Sequence, residues 1–227
     1  MNKKNISVLQ CVLTVLFVSC LLISNVITAK QVLLPFNITM TGAVFIFPIT
    51  YILSDLFSEV YGYKWSRFTC YLAFAMNLLM VIVFSAVIVS PAPNYWTNQE
   101  AFQTVLGSTP RVLFASLLAF VVGDYVNDKI FSIMKRKYPN SHKAFGWRAI
   151  ISSIAGELVD GLIFLPIVFI GLMPLQTLAI MTITQVFIKT LYEVLILPLT
   201  KFIVVKVSKY ESRFEANGAT DPIIYKK

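Results

Sequence analysis

The stretch FPITYILSDLFSEVYGYKWSR, residues Phe47–Arg67, decides how the rest of the chain must fold. It begins as an apolar helix and then places Asp55 and Glu59 inside that helix. Because the two carboxylates are four residues apart, they share one helical face. The pair Tyr61-Gly62 predicts the end of the helix, since glycine permits a left-handed stop. One buried charge costs roughly 2.5–3.5 kcal/mol in a membrane helix, so a carboxylate pair requires an explanation.

The composition is that of an integral membrane protein. Of the 227 residues, 57% are hydrophobic and 13% are charged, whereas soluble domains are about 45–50% apolar and about 25% charged. The net charge of +8 therefore indicates basic cytoplasmic loops rather than nucleic-acid binding. Three cysteines without paired spacing predict neither a disulfide framework nor a metal motif. The single His142 argues against a histidine-based metal site or catalytic triad.

Six apolar runs are long enough to cross about 30 Å of hydrocarbon. We expect helices at about Val8–Ala29, Ala43–Tyr61, Phe68–Ser90, Val112–Met134, Ala149–Leu172 and Thr177–Val207. The first run exceeds the usual h-region of a signal peptide and no A-x-A site follows it, so we interpret it as a retained helix. Lys30–Gly42 could form a small hairpin, and Pro91–Pro110 is predicted to be a long loop. The domains are then a transmembrane domain, residues 1–207, and a polar cytoplasmic tail, residues 208–227.

Basic residues are concentrated in the connections on one side of the predicted membrane helices. One side holds Lys3, Lys4, Lys64, Arg67, Lys135, Arg136, Lys137, Lys143, Arg148, Lys209, Arg213, Lys226 and Lys227. The other side holds Lys30 and Arg111. The positive-inside rule therefore predicts an all-α membrane protein with six transmembrane helices and both termini in the cytoplasm. The second helix of each three-helix half carries an acidic pair, a pattern expected of a 3+3 inverted repeat with a site near the midplane.

Further polar side chains recur at helical spacing. Asp124 and Asp128 are i, i+4, and Glu157 and Asp160 are i, i+3, so each pair shares a face. The sixth helix carries one stripe of Thr182, Gln185, Lys189 and Glu193. Ionisable groups inside a membrane normally face the bundle interior or a wet cavity. We therefore predict one polar chamber whose substrate-binding residues are Asn25, Tyr51, Asp55, Glu59, Asp124, Asp128, Glu157, Asp160, Gln185, Lys189 and Glu193.

Part of this constellation has a purely structural explanation as well. Glu59 and Asp128 lie near cytoplasmic helix ends, where a charged side chain can reach water. Basic residues that could pair with them are close in sequence: Lys64, Arg67 and Lys129. Lys189 and Glu193 could neutralise each other. Four mid-helix acids cost on the order of 10 kcal/mol on insertion and Lys189 balances only one, so we favour a functional cavity.

An excess of carboxylates favours cations, protons or ligands rich in N–H donors. A carboxylate accepts two parallel N–H bonds, as from the amidine-like edge of guanine. Aromatic residues near the acids could stack on a planar heterocycle: Phe47, Tyr51, Phe120, Tyr125, Phe164 and Tyr192. The pattern therefore favours a flat, polar, nitrogen-rich ligand. Pro166 and Pro198 are candidate hinges for alternating access.

The Phe47–Arg67 block resembles the signature of the queuosine precursor transporter family, once grouped as putative vitamin uptake transporters. The likeness extends to SNVITAK (Ser24–Lys30), RVLFASLLAFVVGDYVNDKIF (Arg111–Phe131), WRAIISSIAGELVDGLIFLPIVFIG (Trp147–Gly171) and IKTLYEVLILPLT (Ile188–Thr200). The resemblance implies an inner-membrane transporter, without a cofactor, that imports 7-cyano-7-deazaguanine, 7-aminomethyl-7-deazaguanine or queuine. By motif, the resemblance assigns the functional positions of the family to these residues: Asn25, Asp55, Glu59, Tyr61, Arg111, Asp124, Asp128, Arg148, Ser153, Asp160, Lys189 and Glu193. Asp124 and Glu157 depart from the family pattern, and these extra acids would favour the cationic aminomethyl ligand.

Three other functions remain open at the level of the sequence. A substrate-binding subunit of an energy-coupling vitamin importer also has six helices, but Val8–Ala29 lacks the Ala-x-x-x-Ala spacing with which such a subunit docks. A membrane enzyme would need a nucleophile–base pair, a metal cluster or a phosphate loop, and the sequence has none of these motifs. The acids alone would permit a cation channel. The expected partners are a purine-like small molecule and the lipid bilayer, with a homodimer possible and no nucleic acid.

Overall fold

The chain folds mainly into helices, as a computed structural model describes them for residues 6–35, 38–137 and 142–216. The helices are α1 Val8–Ile27, α2 Phe47–Leu56, α3 Tyr63–Val89, α4 Gln99–Leu106, α5 Thr109–Lys137, α6 His142–Phe169 and α7 Leu175–Ala216. Within these residues, four segments are long and apolar enough to cross a membrane: Val8–Ile27, Tyr63–Val89, Gln99–Met134 and Ile151–Phe169. The predicted class, a helical membrane protein, is therefore confirmed.

A hairpin follows α1, as the breakers in Lys30–Gly42 predict. Its strands, β1 Gln31–Leu34 and β2 Ile38–Thr41, pair in antiparallel register, with Gln31 opposite Thr41. Gly42 ends the hairpin against α1, where its N–H donates to Lys30 O at 2.7 Å. A Cβ on Gly42 would lie 2.6 Å from Ile27 O, so only glycine fits this approach.

The second predicted helix, Ala43–Tyr61, is divided into shorter pieces. A 3-10 turn spans Gly42–Phe45, α2 begins only at Phe47, and a wider π turn spans Phe57–Tyr61. The predicted start at Ala43 is therefore wrong, because the closing hairpin holds these residues in the tighter turn. The predicted stop is confirmed, since Gly62 has a φ of 83°, in the left-handed region that glycine adopts readily.

The long loop predicted for Pro91–Pro110 contains the short helix α4. Gln99 anchors it to the end of α3, because its Nε2 donates to Ile88 O at 2.9 Å. The indole of Trp96 donates to Gln99 Oε1 at 3.1 Å. A loop was predicted because this stretch is polar and bounded by prolines. The contacts that hold α4 in place are tertiary, and no periodic pattern in the sequence indicates them.

Two helix ends differ from the prediction in ways that matter for the site. α3 begins at Tyr63 rather than near Phe68, so Arg67 belongs to the helix and not to a loop. α7 continues to Ala216 rather than ending near Val207, because Glu211 and Phe214 bind it to the bundle. Glu211 Oε1 accepts hydrogen bonds from Ser7 Oγ at 2.5 Å and from the Tyr61 hydroxyl at 2.9 Å. The rest of the predicted tail, residues 217–227, lies outside the described residues.

Two separate apolar cores divide the described helices by their order in the chain. The first core joins α1, α2 and α3 through Phe17, Val18, Leu53, Phe57 and Ala73. The second joins α5, α6 and α7 through Val112, Ala115, Leu165, Val168, Phe169, Leu178 and Met181. Each set of three helices thus buries apolar surface of its own.

α5 and α6 approach closely at a pair of glycines. A Cβ on Gly156 would lie 2.9 Å from Gly123 O, and a Cβ on Gly123 would lie 3.0 Å from Gly156 O. Small residues permit such backbone contact between membrane helices. Each glycine is followed directly by an acid, Asp124 or Glu157, so the contact fixes both acids on neighbouring helices.

Gly156→Ala should force α5 and α6 apart, because the added methyl meets a backbone oxygen that cannot move aside alone. We expect a loss of roughly 1–3 kcal/mol of stability, the usual cost of overpacking, measured as a lower melting temperature in detergent. Ala86→Ser adds one atom at an exposed position of α3 and serves as the matched control. Equal melting of Gly156→Ala and wild type would contradict the close packing.

Glu211→Ala should release the last turns of α7, since it removes the acceptor shared by Ser7 and Tyr61. We expect faster amide hydrogen exchange in residues 208–216 and unchanged exchange in α5, because only α7 loses an anchor. Lys209→Ala, at an exposed position two residues away, controls for the loss of a long side chain. Unaltered protection of residues 208–216 in Glu211→Ala would show that the bonds do not hold the helix.

Candidate functional site

A cavity of about 560 Å³ lies among α1, α2, α3, α5, α6 and α7. Small-molecule sites usually have volumes of about 300–1,000 Å³. The first core contributes Phe17 and Phe57 to its wall, and Phe164, which packs against the second core, lies on the wall as well. Eight predicted site residues line it: Asn25, Tyr51, Asp55, Asp124, Glu157, Asp160, Gln185 and Lys189.

Of the three remaining predicted site residues, the structure describes the side chain of one. Glu59 is exposed on the π turn after α2 and does not line the cavity. Asp128 lies in α5 and Glu193 in α7, but both side chains fall outside the described residues. Of the predicted stacking residues, Tyr51, Phe120 and Phe164 line the cavity, whereas Tyr125 is exposed elsewhere.

An ion pair joins α7 to α6 inside the cavity. Lys189 Nζ donates to Asp160 Oδ2 at 3.0 Å, and Lys189 as a whole is only 8% exposed. Electrostatic interactions link the same ammonium to Tyr51 and Glu157. The hydroxyl of Thr190 donates to Glu157 Oε2 at 3.2 Å. The cation on α7 is thus held by acids of α6.

A second ion pair joins α3 to α5 through Arg67, a residue that the sequence placed in a loop. Its Nη2 donates to Asp124 Oδ2 at 2.5 Å and its Nε to the Tyr63 hydroxyl at 2.9 Å. The guanidinium also lies 5.9 Å from the centre of the Phe120 ring, within range of a cation–π contact. Tyr63 lies four residues before Arg67 and shares its helical face, which could have indicated this contact. That inference needed a helix that begins before Phe68.

An amide pair joins α1 to α3. Asn25 Nδ2 donates to Asn77 Oδ1 at 2.5 Å, and Asn77 Nδ2 donates to Ala73 O at 2.9 Å. Both asparagines line the cavity and are buried. Asn77 was not among the site residues predicted from the sequence. The sequence feature that could have indicated its role is a lone asparagine within an apolar helix.

Gln185 differs from its neighbours on the polar stripe of α7. It is 1% exposed and lines the cavity. Neither its Nε2 nor its Oε1 has a hydrogen-bond partner among the described residues. One turn earlier, the Thr182 hydroxyl donates to Leu178 O at 2.9 Å, so its hydrogen bond is made within the helix.

The cavity carries excess negative charge. Among the described lining residues, four carboxylates, Asp55, Asp124, Glu157 and Asp160, face two cations, Arg67 and Lys189. Among the described residues, no three His, Cys, Asp or Glu side chains are grouped so that they could hold a metal ion. The arrangement is therefore suited to cations or to ligands that donate several N–H bonds.

Arg111, which the family resemblance carried over, has a structural position at the other end of α5. Its guanidinium donates from Nε to Ile167 O and from Nη2 to Ile170 O, the latter at 2.8 Å. These carbonyls belong to the last turn of α6 and to the residue directly after it, where backbone oxygens lack partners inside the helix. Arg111 therefore caps α6 and does not line the cavity.

Comparison with known proteins places the chain among transporters. Residues 41–203 match the family described as "Putative vitamin uptake transporter". A curated relative, the "Probable queuosine precursor transporter" of Bacillus subtilis (strain 168), is 27% identical over 139 residues. That match spans 61% of this chain and 60% of the relative, so about two fifths of the relative lies outside it. No solved structure matches.

The family match extends over more than half of the chain and includes α2, α3, α5, α6 and most of α7. Several of the matched helices are apolar enough to cross a membrane. Both matches are therefore to proteins described as transporters. The chain therefore belongs to the putative vitamin uptake transporter family and is a multi-pass protein of the cell membrane.

Proposed function

We propose that the chain imports a queuosine precursor, a free 7-deazaguanine base, through the cavity between its two apolar cores. The observation that carries the proposal is the convergence of Asp55, Asp124, Glu157 and Asp160 on one cavity. The printed name of the Bacillus subtilis relative supports the substrate class. Together they favour a planar base with N–H donors over an ion alone.

The chemistry of the acids suits the amidine edge of a guanine-like ring. Such an edge presents N1–H and an amino N–H in parallel, and one carboxylate accepts both. Asp55 on α2 and Glu157 on α6 belong to different walls of the cavity. Aromatic rings of Tyr51, Phe120 and Phe164 line the same space, where a flat base can stack.

The proposed membrane arrangement keeps six crossings, an inverted 3+3 repeat and cytoplasmic termini. The separate cores of α1–α3 and α5–α7 support two halves of three helices each. Transporters of this kind bind substrate where the halves meet. The basic residues before α1 and between α5 and α6 support the orientation. The homodimer stays a prediction.

Asp55→Asn should strongly reduce uptake of labelled 7-cyano-7-deazaguanine in cells that cannot make it. The asparagine keeps the volume but replaces one acceptor oxygen by a donor and removes the charge, so binding should fall about tenfold or more. Glu100→Gln on α4, outside the cavity, is the matched control and should import at the wild-type rate. Wild-type uptake by Asp55→Asn, at equal amounts in the membrane, would refute the site.

Glu157→Gln should change the choice between ligands. The wild-type cavity should prefer the cationic 7-aminomethyl ligand over the neutral 7-cyano ligand, because its net charge is negative. Removing one carboxylate should reduce that preference by about tenfold, as expected for one nearby charge in a protein interior. Competition between the two ligands in an uptake assay gives the ratio. Equal ratios in wild type and variant would exclude a role for Glu157 in selecting the ligand.

A further inference from the structure

The carboxamide of Gln185 is a polar group of the cavity wall to which the proposed function assigns no role. It is 1% exposed, and both of its polar atoms lack partners within the described chain. Lys189, one turn further along the same face, is held by Asp160 at 3.0 Å. Buried polar groups are nearly always paired, and each exception in a native structure calls for an explanation.

A ligand that binds beside Gln185 would supply the missing hydrogen-bond partners of both Nε2 and Oε1. A carboxamide offers one donor beside one acceptor, so it pairs with an edge that presents an acceptor beside a donor. Glutamine reads nucleobase edges in this two-bond manner. A cation would use only Oε1 and an anion only Nε2, so neither would satisfy the whole group.

The carboxylates restrict which edge of a 7-deazaguanine is left for Gln185. An acid takes the N1–H and amino N–H edge, which carries two donors. The ring then retains N3, an acceptor that lies between the second amino hydrogen and N9–H. Pairing N3 with N9–H is the choice that leaves the whole amino group to the acid. N9–H exists only in the free base, because a nucleoside carries its sugar on N9.

We infer that Gln185 selects the free base against its nucleoside by donating from Nε2 to N3 and accepting from N9–H at Oε1. This assignment rests on the proposed function, because it assumes a deazaguanine in the cavity. A site that hydrogen-bonds an N–H group strongly rejects an analogue without it, since buried polar atoms are then left unpaired.

The experiment measures binding to purified full-length protein with three probes: 7-cyano-7-deazaguanine, its 9-methyl analogue and its 3-deaza analogue. Wild type should bind each analogue about tenfold or more weakly than the parent, as expected for one lost hydrogen bond that leaves a buried group unpaired. Gln185→Met keeps the side-chain length without polar atoms. It should bind the parent about tenfold more weakly, and should no longer distinguish the parent from the 9-methyl analogue.

Gln103→Met, at an exposed position of α4 outside the cavity, is the matched control and should behave as wild type. Equal affinity of wild type for the parent and both analogues would overturn the assignment, even if Gln185→Met does not fold. An unchanged preference for the parent over the 9-methyl analogue in folded Gln185→Met would overturn it too. Failure of wild type to bind the parent at all would instead overturn the proposed function, and the assignment with it.

Discussion

The pairing of partly buried charges across helices is the constraint on which the rest of this structure depends. A charge exposed to hydrocarbon costs roughly 2.5–3.5 kcal/mol in a membrane helix, so each must find a partner or water. Lys189 on α7 meets Asp160 on α6, and Arg67 on α3 meets Asp124 on α5. Each pair fixes the rotation of two helices about their axes, because turning either helix away would leave one charge without its partner.

Close packing of α5 and α6 explains why the acids share one wall. Gly123 and Gly156 let the two backbones touch, and the acids that follow them are therefore held within one short stretch of the interface. The apolar cores on either side cannot accept these groups, since burying an unpaired polar group among apolar side chains is costly. A polar cavity between the cores is the arrangement in which both requirements are met.

Periodicity predicted much of the cavity wall, because the face on which a side chain lies depends on local geometry. The spacing of Glu157 and Asp160, and the position of Lys189 on the stripe of α7, place all three on the wall of the cavity. The partner of each charge was less predictable, because it depends on which helices are neighbours. Arg67 was missed because α3 was predicted to start near Phe68, five residues after its observed start at Tyr63. Gln185 was predicted to belong to the site, but its unpaired state is a property of the assembled bundle.

In the proposed import cycle, the ion pairs also connect ligand binding to helix movement. A base that donates N–H bonds to Asp160 competes with the ammonium of Lys189, which donates to the same carboxylate. Separating a partly buried pair is unfavourable unless another group replaces the lost partner. The empty protein therefore keeps α6 and α7 together, and a bound base lowers the cost of parting them. Pro166 and Pro198 interrupt the backbone hydrogen bonds of the same two helices and permit bending there. A ligand can shift a conformational equilibrium only by its difference in affinity for the two states, and exchange of partners at Asp160 supplies such a difference.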